Sequence, residues 1–257
     1  SFVSVPLTIR TETQEFRDDA SLDVETMVDT LRSTKGRSYS ACPSVADWER
    51  AFGEDDDVLA FTITSGLSGS FRAACAAKLN CEENSPSRRI CIIDSLSTGP
   101  EIVLFIEKAV SELSAGADFD AVCRSVQDYQ RRTHLIFALE SLHNLAQNGR
   151  VGKLAAAAAG MLGIRAVGTT SDEGTLDLLG KCRGRKRTVD FLQEEMERLG
   201  YTGGCVRIGH CRNTDSAGEL RTAILHRFPG ANIRIYPLRG LCSYYAECGG
   251  VLVGFEA

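Results

Sequence analysis

The chain has 257 residues, 43% of them hydrophobic and 25% charged, with a formal net charge of −5. Such values fit a globular protein with a sizeable core and argue against a broad electrostatic grip on nucleic acid or anionic membrane. No apolar run approaches the roughly 20 residues that span a bilayer, and the first ten residues lack the basic-then-apolar order of a signal peptide, so a cytoplasmic protein without stable membrane insertion is expected.

Short apolar runs alternate with amphipathic ones along the chain. Phe2–Ile9 reads as a strand, followed by helices over Asp23–Arg32 and Ser44–Ala51. Strand Val58–Ile63, helix Ser70–Leu79 and strand Arg89–Ile93 come next. Helix Pro100–Leu113 sets Ile102, Val103, Ile106, Ala109, Val110 and Leu113 on one face at spacings of three and four, with Gly116 as its stop. Helix Phe119–Arg131 closes this half. A second unit starts near His134 with strand His134–Ala138 and helix Ser141–Ala146, then an Ala-rich helix Lys153–Leu162 and strand Ile164–Thr169. Asp172-Glu173-Gly174 reads as a hairpin turn between Ala166–Thr170 and Thr175–Leu179. Helix Arg185–Leu199, strand Cys205–Ile208, helix Ser216–His226 and strand Ile233–Tyr236 complete the series. The alternation predicts an α/β protein with mainly parallel or mixed sheets. Two domains in close contact are expected, over 1–132 and 133–257.

Ten cysteines are present. They show no Cys-x-x-Cys spacing, so reduced thiols are expected and no metal site. Two polar turns feed helices. Ser40-Ala41-Cys42-Pro43 precedes Ser44, which reads as an N-cap with Asp47 at the capping-box position. Thr64-Ser65-Gly66-Leu67-Ser68-Gly69-Ser70 joins a strand to a helix and gathers backbone N–H groups, hydroxyls and the positive end of a helix dipole. That composition suits an anion. The loop fails the nucleophile-elbow pattern, because the residue two after Ser68 is Ser70 rather than Gly. It also lacks the Lys of a phosphate loop. Binding therefore fits Ser68 better than nucleophilic attack, which needs a base. A serine-dependent hydrolase using Ser68 and a phosphometabolite-binding protein remain as rival readings. The run Lys181–Arg187 is a basic patch at a helix entrance.

These motifs in order resemble the DegV family of bacterial fatty-acid-binding proteins. The likeness rests on Ser40–Ser44, Thr64–Ser70, Ile92-Ile93-Asp94-Ser95, Leu142–Val151 with its Gly149-Arg150-Val151 end, and Lys181-Cys182-Arg183-Gly184-Arg185-Lys186. The resemblance implies two α/β domains with one long-chain fatty acid in a tunnel between them, and no cofactor beyond that ligand. It implies that Ser40, Ser68 and Gly69 hold the carboxylate and that the chain has no catalytic residues of its own. An ATP-dependent fatty acid kinase subunit is the implied partner, with Arg183 and Lys186 as candidate docking residues. In the family, a first strand and its Asp-Ser turn would precede Ser1. The family's C-terminal His-x-Gly-Pro-Gly loop corresponds here to Ala246–Gly250, without the His, so Tyr244, Tyr245 or Glu247 is the candidate to line the site instead, and Ser65 is a further candidate for lining.

Overall fold

The computed structural model describes residues 1–157 and 163–257. Among these residues it is an α/β protein with three sheets. Strands β1 (Thr8–Arg10), β2 (Glu15–Arg17) and β3 (Tyr39–Ala41) form a small antiparallel sheet of order β2-β1-β3, with Ile9 opposite both Phe16 and Ser40. The expected strand Phe2–Ile9 shrinks to its end because Pro6 has no N–H to donate to a ladder; Phe2 is left 77% exposed. Helix α1 (Val24–Ser33) lies between β2 and β3, and Asp23 caps it by accepting from the Thr26 N–H.

Helix α2 (Val45–Phe52) carries the anticipated capping box between Ser44 and Asp47. Strand β4 (Asp57–Thr62), helix α3 (Ser70–Asn84) and strand β5 (Arg89–Asp94) form a parallel βαβ unit. Trp48, Phe52, Ala74 and Ala77 cover one face of this sheet. Leu104, Phe105, Val122 and Val126, from α4 (Pro100–Ser114) and α5 (Phe119–Gln130), cover the other.

The largest sheet has six strands in the order β10-β9-β11-β6-β7-β8. Its members are β6 (Thr133–Leu139), β7 (Ile164–Thr170), β8 (Leu176–Arg183), β9 (Cys205–His210), β10 (Asn232–Pro237) and β11 (Val251–Glu256). Only the β9–β10 pair within it is parallel, so the sheet is mixed and mostly antiparallel. A β-hairpin joins β7 to β8, and β11 enters from the chain's end between β6 and β9. The period of two along β6 splits its side chains. Leu135, Phe137 and Leu139 face one apolar cluster, and Ile136 and Ala138 face another. The second cluster is closed by Val189, Leu192 and Met196 of α7 (Arg185–Arg198) and by Ala217, Leu220 and Ile224 of α8 (Thr214–Arg227).

Helix α4 also reaches the large sheet. A Cβ on Gly254 would sit 2.4 Å from the Glu101 nitrogen, so only glycine lets the helix N-terminus approach β11 this closely. Two short helices, α6 (His143–Gln147) and α9 (Gly240–Ala246), complete the cavity side of the sheet. The Ala-rich segment begins as a 3-10 helix over Gly152–Ala157, and the rest of the expected helix, 158–162, lies outside the described residues. No helix among the described residues is long and apolar enough to cross a membrane.

Candidate functional site

The Thr64–Ser70 loop is pinned by its first residues. The Thr64 N–H donates to the Ser97 carbonyl at 2.8 Å, and the Thr64 hydroxyl donates to the Gly174 carbonyl at 2.9 Å. The Ser65 N–H donates to the Asp94 carboxylate at 3.0 Å, and the Gly66 N–H to Thr64 Oγ1 at 3.0 Å. Leu67 and Ser68 N–H groups turn back to the Thr64 carbonyl. Gly174 (φ +72°) seals the contact from the β7–β8 turn, where an added Cβ would meet Thr64 Oγ1 at 1.9 Å. The loop is thus held by β5 on one side and by the hairpin of the large sheet on the other.

Its far end is less fully hydrogen-bonded. The Gly69 N–H has no hydrogen-bond partner among the described residues. Gly69 precedes α3 and makes no side-chain cap, so the first N–H groups of that helix face the same end. Ser68 Oγ lies 3.0 Å from Ser70 Oγ and accepts from the Ser70 N–H at 3.2 Å. No His, Lys or carboxylate bonds to Ser68 among the described residues. The Ser40 turn adjoins this loop: Cys42 Sγ would lie 3.1 Å from a Cβ on Gly69. Ser40 Oγ shares a 2.7 Å hydrogen bond with the Tyr245 hydroxyl.

Behind these donors lies a cavity of about 300 Å³. Its walls come from both halves of the chain, with Leu7, Ile63 and Leu67 on one side and Leu135, Phe137, Leu139 and Leu252 on the other. Ser40, Ser68, Gly69 and Tyr245 all line it. Ser65 and Glu247 do not. The Ser65 N–H serves Asp94, and the Glu247 carboxylate accepts from the Asn144 N–H at 3.0 Å. Tyr244 is buried, with its hydroxyl 2.9 Å from Ser38 Oγ and accepting from Asn148 Nδ2 at 2.8 Å. His134 and His210 line no part of the cavity, and burial lowers both of their pKa values.

Arg183 ends β8 and Lys186 stands in the first turn of α7; both are exposed and form no ion pair among the described residues. Their neighbours are engaged: Arg185 pairs with Asp215 and Glu219, and Arg187 with Glu194. Two lining residues escaped the sequence reading of roles. Arg150 borders the Thr64–Ser70 loop, its Nε donating to the Leu67 carbonyl at 3.3 Å. Its place in Gly149-Arg150-Val151 was the available signal. Cys242, beside Thr98, had none, because it sits in a short helix that the periodicity does not reveal.

A family model described as "Uncharacterised protein, DegV family" matches residues 1–256. A DegV domain-containing protein of Streptococcus pneumoniae is 43% identical over 256 residues, covering 100% of this chain and 91% of the relative. The crystal structure of the Streptococcus pneumoniae fatty acid kinase (Fak) B3 protein loaded with linoleic acid is similar at a TM-score of 0.97 and 43% identity, covering 100% of this chain and 91% of that one. A DegV family protein from Eubacterium eligens loaded with heptadecanoic acid is similar at a TM-score of 0.95 and 43% identity, covering 98% and 92%. The family model, the sequence identity and the fold agree, and the chain belongs to the DegV family.

Proposed function

We propose that this protein binds one long-chain fatty acid in the cavity and carries it without acting on it. The carboxylate takes the Gly69 N–H and the hydroxyls of Ser68 and Ser40, and Tyr245 orients Ser40. The observation that carries this reading is the pairing of an apolar cavity with an unpartnered N–H and two hydroxyls at its rim. A carboxylate is satisfied by two or three such donors. The apolar walls suit an acyl tail and do not suit a phosphometabolite, which would need polar groups beyond the head. The hydrolase reading lacks a base at Ser68.

Ser68→Ala removes one donor to a charged acceptor, a loss of about 1.5–3 kcal/mol. Lipid affinity is expected to fall by about tenfold or more while the unfolding transition stays put. Native mass spectrometry of the loaded variant reads this, and equal retention by variant and parent would refute the head-group assignment.

The pneumococcal relative is the B3 protein of a fatty acid kinase, which supports a cytoplasmic role in presenting lipid to an ATP-dependent kinase subunit. Arg183 and Lys186, exposed and without an ion pair among the described residues, are suited to meet an acidic partner surface. Reversing both to Glu is expected to abolish kinase-coupled acyl phosphate formation and to leave lipid binding unchanged. Parental acyl phosphate formation by that variant would remove these residues from the docking surface.

A further inference from the structure

Glu101 stands out among the titratable groups outside the lipid site. It occupies the first turn of α4 and is only 4% exposed. Its carboxylate accepts from Ser97 Oγ at 2.5 Å and from Thr133 Oγ1 at 2.6 Å. No cation pairs with it among the described residues. A buried carboxyl with two hydroxyl donors and no counter-charge is expensive to ionise.

Its contacts lead to the head loop through short steps. Ser97, held by Glu101 through its hydroxyl, accepts the Thr64 N–H on its own carbonyl at 2.8 Å. The Ser95 hydroxyl donates to that same carbonyl at 3.0 Å and accepts the Ser97 N–H at 3.1 Å. Thr64 in turn receives the Leu67 and Ser68 N–H groups. The next residue in the turn, Thr98, lines the cavity itself. Thr133 opens β6, whose Leu135 and Phe137 form the opposite wall.

We propose that Glu101 is a positioning residue for the carboxylate clamp and that its protonation is coupled to lipid binding. The inference rests on the fatty-acid reading above. Neutral, Glu101 braces Ser97 without adding charge. Ionised, it places a buried negative charge behind a loop that must hold a second one.

Burial pushes the Glu101 carboxyl up to about 7, against the opposing pull of the Ser97 and Thr133 hydroxyls. On β9, burial lowers the pKa of His210. On β6, His134 has its pKa lowered by burial. On α5, Tyr129 is raised, chiefly by burial and then by Glu256 of β11. The Arg207 guanidinium of β9 is paired with Glu107 of α4. The Asp94 carboxylate at the head of the Ser95–Gly99 turn accepts two backbone N–H groups, from Ser65 and Leu96.

The sign follows. A carboxyl whose pKa is raised on folding favours the native state below its ordinary range and loses that contribution as pH rises through about 7. For binding, the protonated Glu101 leaves no buried negative charge behind the loop that takes the lipid carboxylate, so lipid hold is stronger at pH 6 than at pH 8. By reciprocity, binding an anionic lipid near neutrality draws a proton onto Glu101.

The test measures affinity for cis-parinaric acid by fluorescence from pH 6 to pH 8, with calorimetry in two buffers of different ionisation enthalpy to count protons. The parent is expected to bind about fivefold or more weakly at pH 8 and to take up a fraction of a proton near pH 7. E101Q is expected to bind at all pH values with a flat profile and no uptake. Thr133→Val deletes a donor that stabilises the ionised form and should move the midpoint upward; it carries the test alone should E101Q not fold. Identical profiles and uptake in parent and E101Q, or an unmoved midpoint in T133V, would overturn the inference and leave the lipid reading standing. Failure of the parent to bind the acid at any pH would overturn both.

Discussion

Glu107→Ala is expected to lower the free energy of unfolding by about 3–5 kcal/mol. Glu107 lies on α4 and meets Arg207 of β9, whose side chain is 3% exposed. The guanidinium donates to Glu107 from Nη2 at 2.5 Å and from Nε at 2.9 Å, and from Nη1 to the Val206 and Asn232 carbonyls at 2.8 and 3.0 Å. Deleting the carboxylate leaves the buried Arg207 cation without its counter-charge, and the two carbonyls cannot replace a full negative charge. Arg234, paired with the other carboxylate oxygen at 3.1 Å, is mostly exposed and re-solvates at little cost. The pair Lys108–Glu112 on the same helix is the control: its cation is 30% exposed where Arg207 is 3% exposed, and pairs whose cation reaches solvent contribute no more than about 1 kcal/mol. Urea unfolding of both variants compares them. A loss for Glu107→Ala as small as that for Glu112→Ala would mean that water reaches Arg207 and that α4 is not anchored by this pair. Because α4 also carries Glu101 and the Thr98 turn, its anchoring bears directly on the shape of the cavity.

Affinity should climb steeply with acyl chain length. Each methylene transferred from water into the apolar cavity contributes about 0.8 kcal/mol, or roughly fourfold in the dissociation constant. Extending an acid by four methylenes should then tighten binding by about 3 kcal/mol, roughly 200-fold, until the cavity is filled. The head contributes a fixed share through its two or three donors and so sets orientation rather than length preference. A titration series of saturated acids reads the slope. A series that is flat with length would place the tail in solvent and contradict a lipid cavity lined by Leu135, Phe137 and Leu139.

Much of the two polar turns was legible because they are local. Ser44 and Asp47 form their capping box within four residues, and the Thr64–Ser70 turn announces itself by hydroxyls and glycines between a β-branched run and a helix. What the sequence hid depends on distance along the chain. Strand β3 is three residues long and exists only because Ser40 pairs with Ile9. Strand β11 brings the last residues into the middle of the large sheet, which the alternation of strands and helices could not foretell. The same insertion makes the sheet mostly antiparallel. The Ser40–Tyr245 hydrogen bond spans 205 positions, and the Glu107–Arg207 contact spans 100. Gly254 looks like a weak point in a strand until α4 is seen against it.

The most direct measurement is a crystal structure of the protein loaded with a single fatty acid. The account predicts density for one acyl chain in the cavity, with its carboxylate within hydrogen-bonding reach of the Gly69 N–H and Ser68 Oγ, and its tail against Phe137 and Leu252. An empty cavity after loading with acids of several lengths, or a chain bound elsewhere on the protein, would contradict it.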